Sequence, residues 1–253
     1  MVESWQITIP TLDKKKVRKA YVYLPVEYKD GGRYPVMYMF DGHNLFDDKE
    51  ATFGKSWGLA DYLDYTRTPL IIAAVECNHE GFSRLEEYTP ISFTDDEFGY
   101  IEAKGKKYMD WLVRKFKPYI DDNYSTLPDR LNTAIAGSSM GGLMTLFALS
   151  QYNKTFSLGA ALSPSLWVAG GEIPPFLLGA KFTPDTVLYT DYGSREFKIH
   201  PERRSQFAKT CGYLMEQGLN LTARVVPGGT HSEESWERQI PYFMNVLGFE
   251  PEE

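Results

Sequence analysis

Residues 135–142 read Ile-Ala-Gly-Ser-Ser-Met-Gly-Gly, and this stretch decides the fold that the sequence predicts. Its centre matches the pattern G-x-S-x-G, in which a serine stands on a sharp turn between a strand and a helix. A short strand-like run, 133–136, precedes the pattern, and the almost wholly apolar run 142–152 follows it. We therefore predict that Ser139 is a nucleophile at a helix N-terminus, where free N–H groups favour negative charge. The alternative is a glycine-rich helix start with a capping serine.

Strands and helices are predicted to alternate outward from this turn. Strand patterns cover residues 5–9, 18–24, 36–40, 70–75, 133–136, 159–162, 186–190 and 222–226, and helical spacing covers 106–119, 207–215 and 236–247. The first two strands alternate apolar and polar residues, whereas later ones are continuously apolar, as in strands covered on both faces. The sequence thus predicts an α/β fold with about eight strands, mostly parallel, and helices on both faces. We expect one domain over residues 1–253, a solvated turn at 13–19 and a kink or helix end at Pro118.

Composition narrows the classes of function. The chain has 253 residues, of which 43% are hydrophobic and 24% charged, as in an ordinary globular protein. A net charge of −7 argues against nucleic acid as a partner, and no apolar run is long enough to span a membrane. No export signal is recognised at the N-terminus, so a cytoplasmic location is expected. Cys77 and Cys211 have neither metal spacing nor a disulfide pattern, which predicts two reduced thiols.

A serine nucleophile needs a base, and the chain has four histidines. In this fold the order along the chain is nucleophile, acid, histidine, which excludes His43 and His79 as the base. His200 precedes a proline at the start of an amphipathic helix, as a surface cap would. His231 follows the last predicted strand through a Pro-Gly-Gly-Thr loop and is our predicted base.

The predicted acid lies after the strand at 186–190. Asp191 and Glu196 both qualify there, and spacing alone does not choose between them. The oxyanion requires two backbone donors, for which we predict the N–H groups of Met140 and His43. No cofactor or metal is expected.

Two further groups of residues are candidate sites. A metal bound by Asp41, Asp47 and Asp48 is the disfavoured alternative, because their spacing does not match a calcium loop. Trp57 and Trp167 are predicted to line a substrate pocket, although ordinary core packing explains a tryptophan equally well. The long irregular stretches 76–99 and 163–185 are expected to form its walls.

These residues together resemble the putative esterase family of α/β-hydrolases, which includes esterase D, feruloyl esterases, enterochelin-type esterases and mycolyltransferases. The resemblance is carried by residues 38–46, 84–90, 117–121, 135–142, 163–167, 191–196 and 228–231. It implies an eight-stranded sheet and a triad of Ser139, His231 and an acid at Glu196, three residues after a glycine. It also implies oxyanion donors at Met140 and His43. Many relatives have aspartate where this chain has Glu196.

The predicted activity is that of a serine carboxylic ester hydrolase acting through an acyl-serine. Its partner would be a small-molecule ester with a small acyl, aromatic acyl or sugar group. An acyltransferase with the same triad and a catalytically silent binding module with the same fold are the alternatives. The sequence leaves the oligomeric state open, with a homodimer as one option.

Overall fold

An eight-stranded sheet forms the centre of the computed structural model, which describes residues 1–249. The strands are β1 (Val2–Ile9), β2 (Asp13–Tyr23), β3 (Val36–Met39), β4 (Ile71–Val75), β5 (Phe93–Asp95), β6 (Gly99–Ile101), β7 (Thr133–Ser138), β8 (Leu158–Leu162), β9 (Val187–Gly193) and β10 (Asn220–Val226). The main sheet has the order β1-β2-β4-β3-β7-β8-β9-β10, and β5 pairs with β6 in a separate hairpin. Strand β2 is antiparallel to β1 and β4, and the other neighbours are parallel. The predicted α/β class and mostly parallel sheet are confirmed.

Helices cover both faces of this sheet. They are α1 (Leu59–Thr66), α2 (Ser83–Glu87), α3 (Gly105–Trp111), α4 (Lys117–Asn123), α5 (Met140–Gln151), α6 (Glu196–Ile199), α7 (Glu202–Glu216), α8 (Glu233–Glu237) and α9 (Ile240–Val246). Helices α1 and α9 pack on one face, and α3, α4, α5 and α7 pack on the other. Successive residues of β3 alternate between the two apolar clusters, which is why that strand is apolar throughout.

None of the helices formed by residues 1–249 has the length and apolar composition needed to cross a membrane.

The prediction of a turn at residues 13–19 was wrong. The basic segment 13–19 is not a turn but the first half of β2, where it pairs with β1. The outer hairpin tolerates such a segment because consecutive residues at 13–15 are exposed, so their charges stay in water. The β5–β6 hairpin was also not anticipated, since three-residue strands leave almost no periodic signal.

Pro118 does not end its helix. A π-helical turn, Leu112–Phe116, joins α3 to α4, and Pro118 lies in the first turn of α4. The wider turn accommodates a ring that lacks an N–H and would clash with a carbonyl one turn earlier. The predicted C-terminal helix is instead divided into α8 and α9, with a proline in the first turn of α9.

The parallel strands all point their carboxyl ends to one edge of the sheet. Ser139 follows β7 directly, Glu196 follows β9, and His231 follows β10. Segments that leave neighbouring parallel strands meet at this edge, which is where ligands bind in open α/β sheets. Residues far apart in sequence are thereby brought together.

Candidate active site

Ser139 lies on a strained turn between β7 and α5. Its backbone has φ 58° and ψ −121°, a conformation that costs a non-glycine residue free energy. A Cβ on Gly137 would lie 2.9 Å from the backbone carbonyl carbon of Gly141, and one on Gly142 would lie 2.9 Å from the carbonyl oxygen of Leu162. Close backbone approach therefore requires glycine at 137 and 142, and the turn presents the hydroxyl of Ser139 at the start of α5.

A hydrogen-bonded series connects the three residues predicted as a triad. The Oγ of Ser139 lies 2.9 Å from Nε2 of His231, and Nδ1 of His231 lies 2.7 Å from Oε2 of Glu196. The other carboxylate oxygen, Oε1, accepts hydrogen bonds from the hydroxyl of Ser163 at 2.7 Å and the N–H of Gly193 at 2.9 Å. The structure thus brings together a hydroxyl, an imidazole and a fully hydrogen-bonded carboxylate.

Glu196 is held in its ionised form. Its side chain is only 2% exposed, and burial alone would raise its pKa. The hydrogen bond and charge of His231, together with the donors on Ser163 and Gly193, outweigh burial and lower the pKa of Glu196 below its ordinary value. A carboxylate in this state can fix the imidazole tautomer and stabilise imidazolium.

Asp191 has different surroundings. Its side chain is buried at the end of β9 and accepts hydrogen bonds from the hydroxyl of Tyr189 at 2.8 Å and the N–H of Ser163 at 3.3 Å. Burial raises the pKa of Asp191 to about 7. Since its hydrogen bonds go to these groups while Glu196 contacts His231, the geometry favours Glu196 as the acid.

The two predicted oxyanion donors are helix-starting N–H groups. Met140 is the first residue of α5, and His43 is the second residue of a short 3-10 turn, Gly42–Asn44. The N–H groups at the start of a helix have no acceptor within that helix. Met140 and His43 therefore stay the predicted oxyanion donors.

An ion pair anchors the loop that carries His43. Asp41, with φ 56°, accepts two hydrogen bonds from Arg84, Nε to Oδ1 at 2.8 Å and Nη2 to Oδ2 at 2.7 Å. Burial alone would raise the pKa of Asp41, but the adjacent guanidinium lowers it below its ordinary value. Gly42 has no room for a side chain, because a Cβ there would lie 2.8 Å from the ring of Tyr21.

The three aspartates of the disfavoured metal alternative have other partners. Asp41 pairs with Arg84, and Asp48 accepts hydrogen bonds from the N–H of Ser56 at 2.7 Å and its hydroxyl at 2.8 Å. Asp47 accepts from the N–H of Lys49 at 2.9 Å. Each of the three carboxylates thus accepts at least one hydrogen bond from within the protein.

A cavity of about 570 Å³ opens above Ser139. Its lining includes Leu85, Asp95, Glu97 and Phe98 from one long stretch, Ser165 and Trp167 from the other, and Arg195, Ile199, His200 and Arg203 from the segment after β9. Trp167 packs edge-on against Phe93, with ring centroids 5.3 Å apart. Trp167 therefore lies where a substrate wall was predicted.

Trp57 does not lie there. It is 2% exposed and packs between Trp236 and Phe243 in the apolar cluster beneath α1 and α9. The structure therefore favours core packing for Trp57 over the predicted contact with substrate.

Ser163 is a residue of the site that sequence reasoning missed. It is 1% exposed, has φ 41°, and bridges two parts of the site. Its hydroxyl donates to Glu196 and accepts a hydrogen bond from the indole N–H of Trp236 at 3.1 Å. The bridge forms because β8 lies beside β9 in the register that brings Ser163 next to Glu196. The one signal in the sequence was that the Ser-Pro-Ser segment after β8 belongs to the family resemblance.

Replacing Ser163 by alanine is expected to lower kcat by about 10- to 100-fold with little change in KM. A hydrogen bond to a charged group contributes about 1.5–3 kcal/mol, and this one holds Glu196 in place. Loss of the donor also raises the pKa of Glu196, so activity should fall at a higher pH on the acid side than in the wild type. Steady-state kinetics across pH measure both effects.

Ser150→Ala is the matched control, since the hydroxyl of this buried serine donates to a backbone carbonyl in α5. A Ser163→Ala variant with an unchanged pH profile would show that Ser163 only supports the fold.

Comparison with protein families identifies the group to which this site belongs. A family model described as "Putative esterase" matches residues 13–245. The chain belongs to the putative esterase family. The match includes Ser139, Glu196 and His231, and it confirms the resemblance and the enzyme class, a carboxylic ester hydrolase.

Individual relatives agree with this membership. An uncharacterized protein, YbbA of Bacillus subtilis (strain 168), is 29% identical over 242 residues, covering 91% of each chain. An endo-1,4-beta-xylanase/feruloyl esterase of Xylanibacter ruminicola is 27% identical over 241 residues, which cover 92% of this chain but 30% of that protein. The structure of an IroE-like serine hydrolase from Shewanella oneidensis superposes with a TM-score of 0.73 at 19% identity, covering 98% of this chain and 79% of that one. That structure shares the fold.

Proposed function

We propose that this esterase hydrolyses carboxylic esters through a covalent acyl-serine on Ser139. The observation that carries the proposal is the unbroken series of contacts from Ser139 Oγ through His231 to Glu196. A serine hydroxyl becomes a useful nucleophile only when an adjacent base accepts its proton. Here Glu196 accepts from Nδ1 of His231, which leaves Nε2 free to act as that base.

The reaction would proceed in two halves. Ser139 Oγ attacks the ester carbonyl carbon while its proton passes to Nε2 of His231, and the N–H groups of Met140 and His43 bind the oxyanion. When the intermediate collapses, the bond to the leaving alkoxide breaks and His231 gives it the proton. Water then attacks the acyl-serine while His231 accepts a proton from it. The bond from the acyl carbon to Ser139 Oγ breaks, His231 returns the proton to Oγ, and the carboxylic acid leaves.

The walls of the cavity support an aromatic acyl group as substrate. Trp167 and Phe98 lie 6.2 Å apart between ring centroids and both line the cavity above Ser139. Flat aromatic groups gain free energy by stacking or edge packing against such side chains. The relative from Xylanibacter ruminicola includes a feruloyl esterase in its name, which agrees with this choice. A small aromatic ester is therefore our proposed substrate class.

Labelling with a serine-reactive phosphonate tests the nucleophile directly. We expect one adduct per folded chain, located by peptide mass spectrometry on the peptide that contains Ser139. Ser139→Ala should give no adduct, and His231→Gln should label far more slowly because the base is lost. Failure of the folded wild type to react, or an adduct on another residue, would refute the proposed mechanism.

A further inference from the structure

Three side chains that the proposed reaction does not use converge beside the oxyanion loop. His43 follows β3, and Cys77 and His79 follow the neighbouring strand β4. One ligand atom from each lies within 4.8 Å of the other two. Sγ of Cys77 is 4.0 Å from Nδ1 of His79, and the two imidazole rings meet edge-on with centroids 4.5 Å apart. We call His43, Cys77 and His79 the His-Cys-His cluster.

Each imidazole of the cluster has a hydrogen-bond partner outside the cluster on one of its ring nitrogens. Nε2 of His43 lies 2.9 Å from the hydroxyl of Thr52, and Nε2 of His79 lies 3.1 Å from a carboxylate oxygen of Glu76. Histidines that bind metals typically use their second ring nitrogen in this way, which fixes the tautomer and the direction of the ligating nitrogen. In both residues the nitrogen left for a ligand is Nδ1.

Nδ1 of His43 has no hydrogen-bond partner among the described residues, although it is buried. The whole residue is only 3% exposed. Burying a polar atom without a partner is unfavourable, so this nitrogen calls for an explanation, and an ion is one. A bound cation would satisfy this nitrogen.

We propose that the His-Cys-His cluster binds a borderline-soft divalent cation, with Zn²⁺ as the best match. Zn²⁺ prefers imidazole nitrogen and thiolate sulfur, and a set of three protein ligands leaves a fourth position open. Binding releases the thiol proton of Cys77 to solvent. Hard cations such as Mg²⁺ and Ca²⁺ prefer oxygen ligands and should not compete.

Neighbouring charges suit a dication at this place. With the thiolate the metal site carries one net positive charge, Glu76 adds one negative charge behind His79, and the charges of Asp41 and Arg84 cancel. The local sum is close to zero, which avoids burying a net charge.

A second cavity of about 410 Å³ lies against the cluster. Its lining includes Cys77 and His79 as well as Ser139 and His231. A cation in the cluster would therefore lie beside the proposed nucleophile and on the loop that carries the N–H of His43. Binding itself does not depend on the proposed reaction.

Equilibrium dialysis against Zn²⁺, followed by metal analysis, tests the proposal. We expect one Zn²⁺ per chain in the wild type and equally in Ser139→Ala, which separates this result from the esterase mechanism. His79→Ala and Cys77→Ser should each weaken binding by about a hundredfold or more, since even outer contacts contribute about 10- to 100-fold. Co²⁺ should give a thiolate charge-transfer absorption band in the wild type that Cys77→Ser abolishes.

The matched controls are Cys211→Ser, which changes the other buried cysteine, and His200→Ala. Both should bind Zn²⁺ like the wild type. Because the side chain of His79 is 46% exposed, its replacement should leave the fold intact, and circular dichroism checks this. The proposal is overturned if the folded wild type binds no stoichiometric Zn²⁺, or if His79→Ala binds it as tightly.

Discussion

Replacing Ser139 by alanine is expected to lower kcat by about a millionfold, as for other nucleophiles of such triads. The loss is this large because water would have to attack the ester directly. That reaction has no acyl-serine intermediate, and the water is not held against His231 as Ser139 Oγ is. Acetyl, longer acyl, cinnamoyl and acetylated-sugar esters should be assayed with the wild type and the variant in parallel. The cinnamoyl ester should be the best substrate if Trp167 contacts the acyl group.

The adjacent serine provides a matched control. Ser138 ends β7, is 8% exposed and lies one residue from the same turn. Ser138→Ala should therefore keep activity close to that of the wild type, whereas Ser139→Ala loses it. Hydrolysis that is undiminished in Ser139→Ala would show that another group performs the chemistry.

Replacing Glu196 by glutamine is expected to lower kcat by about ten-thousandfold or somewhat less. Glutamine has nearly the same shape, but it is neutral and cannot stabilise the imidazolium of His231. Its amide can also donate to the ring, which would favour the wrong tautomer. Steady-state kinetics with a small activated ester measure the loss.

Asp191→Asn is the matched control for Glu196→Gln. The carboxyl group of Asp191 contacts Tyr189 and Ser163 rather than His231, so we expect a loss below about tenfold from this variant. If Asp191→Asn abolished activity while Glu196→Gln kept it, our assignment of the acid would be wrong.

Local patterning was sufficient to predict the architecture. The continuous apolar runs at β3 and β4 reflect burial on both faces of the sheet, and period-two alternation in β1 reflects a face open to solvent. The same alternation in β2 is misleading, because Tyr21 and Tyr23 are buried as well as Ala20 and Val22. The G-x-S-x-G pattern located the turn because such a turn admits few residue types. What local patterns did not show, such as the continuation of the helix past Pro118 and the β5–β6 hairpin, depended on packing that no short window contains.

Chain order and residue type also pointed to Ser139 and His231, and the resemblance pointed to Glu196. Residue spacing by itself left Asp191 and Glu196 equal, because both follow the same strand. Their hydrogen-bond partners differ only because β9 lies beside β8 and the loop after β10 covers the end of β9. One carboxylate then meets Nδ1 of His231, and the other is buried against Tyr189.

The sequence by itself determined the fold class and the strained turn, because both follow from periodicity and from the backbone freedom of glycine. Only the tertiary structure decided which carboxylate reaches the imidazole, that Ser163 supports it, that Trp57 is buried, and that His43 meets Cys77 and His79. The physical reason is that these contacts join the ends of different strands. Their distances are set by sheet order and register, which no single segment encodes.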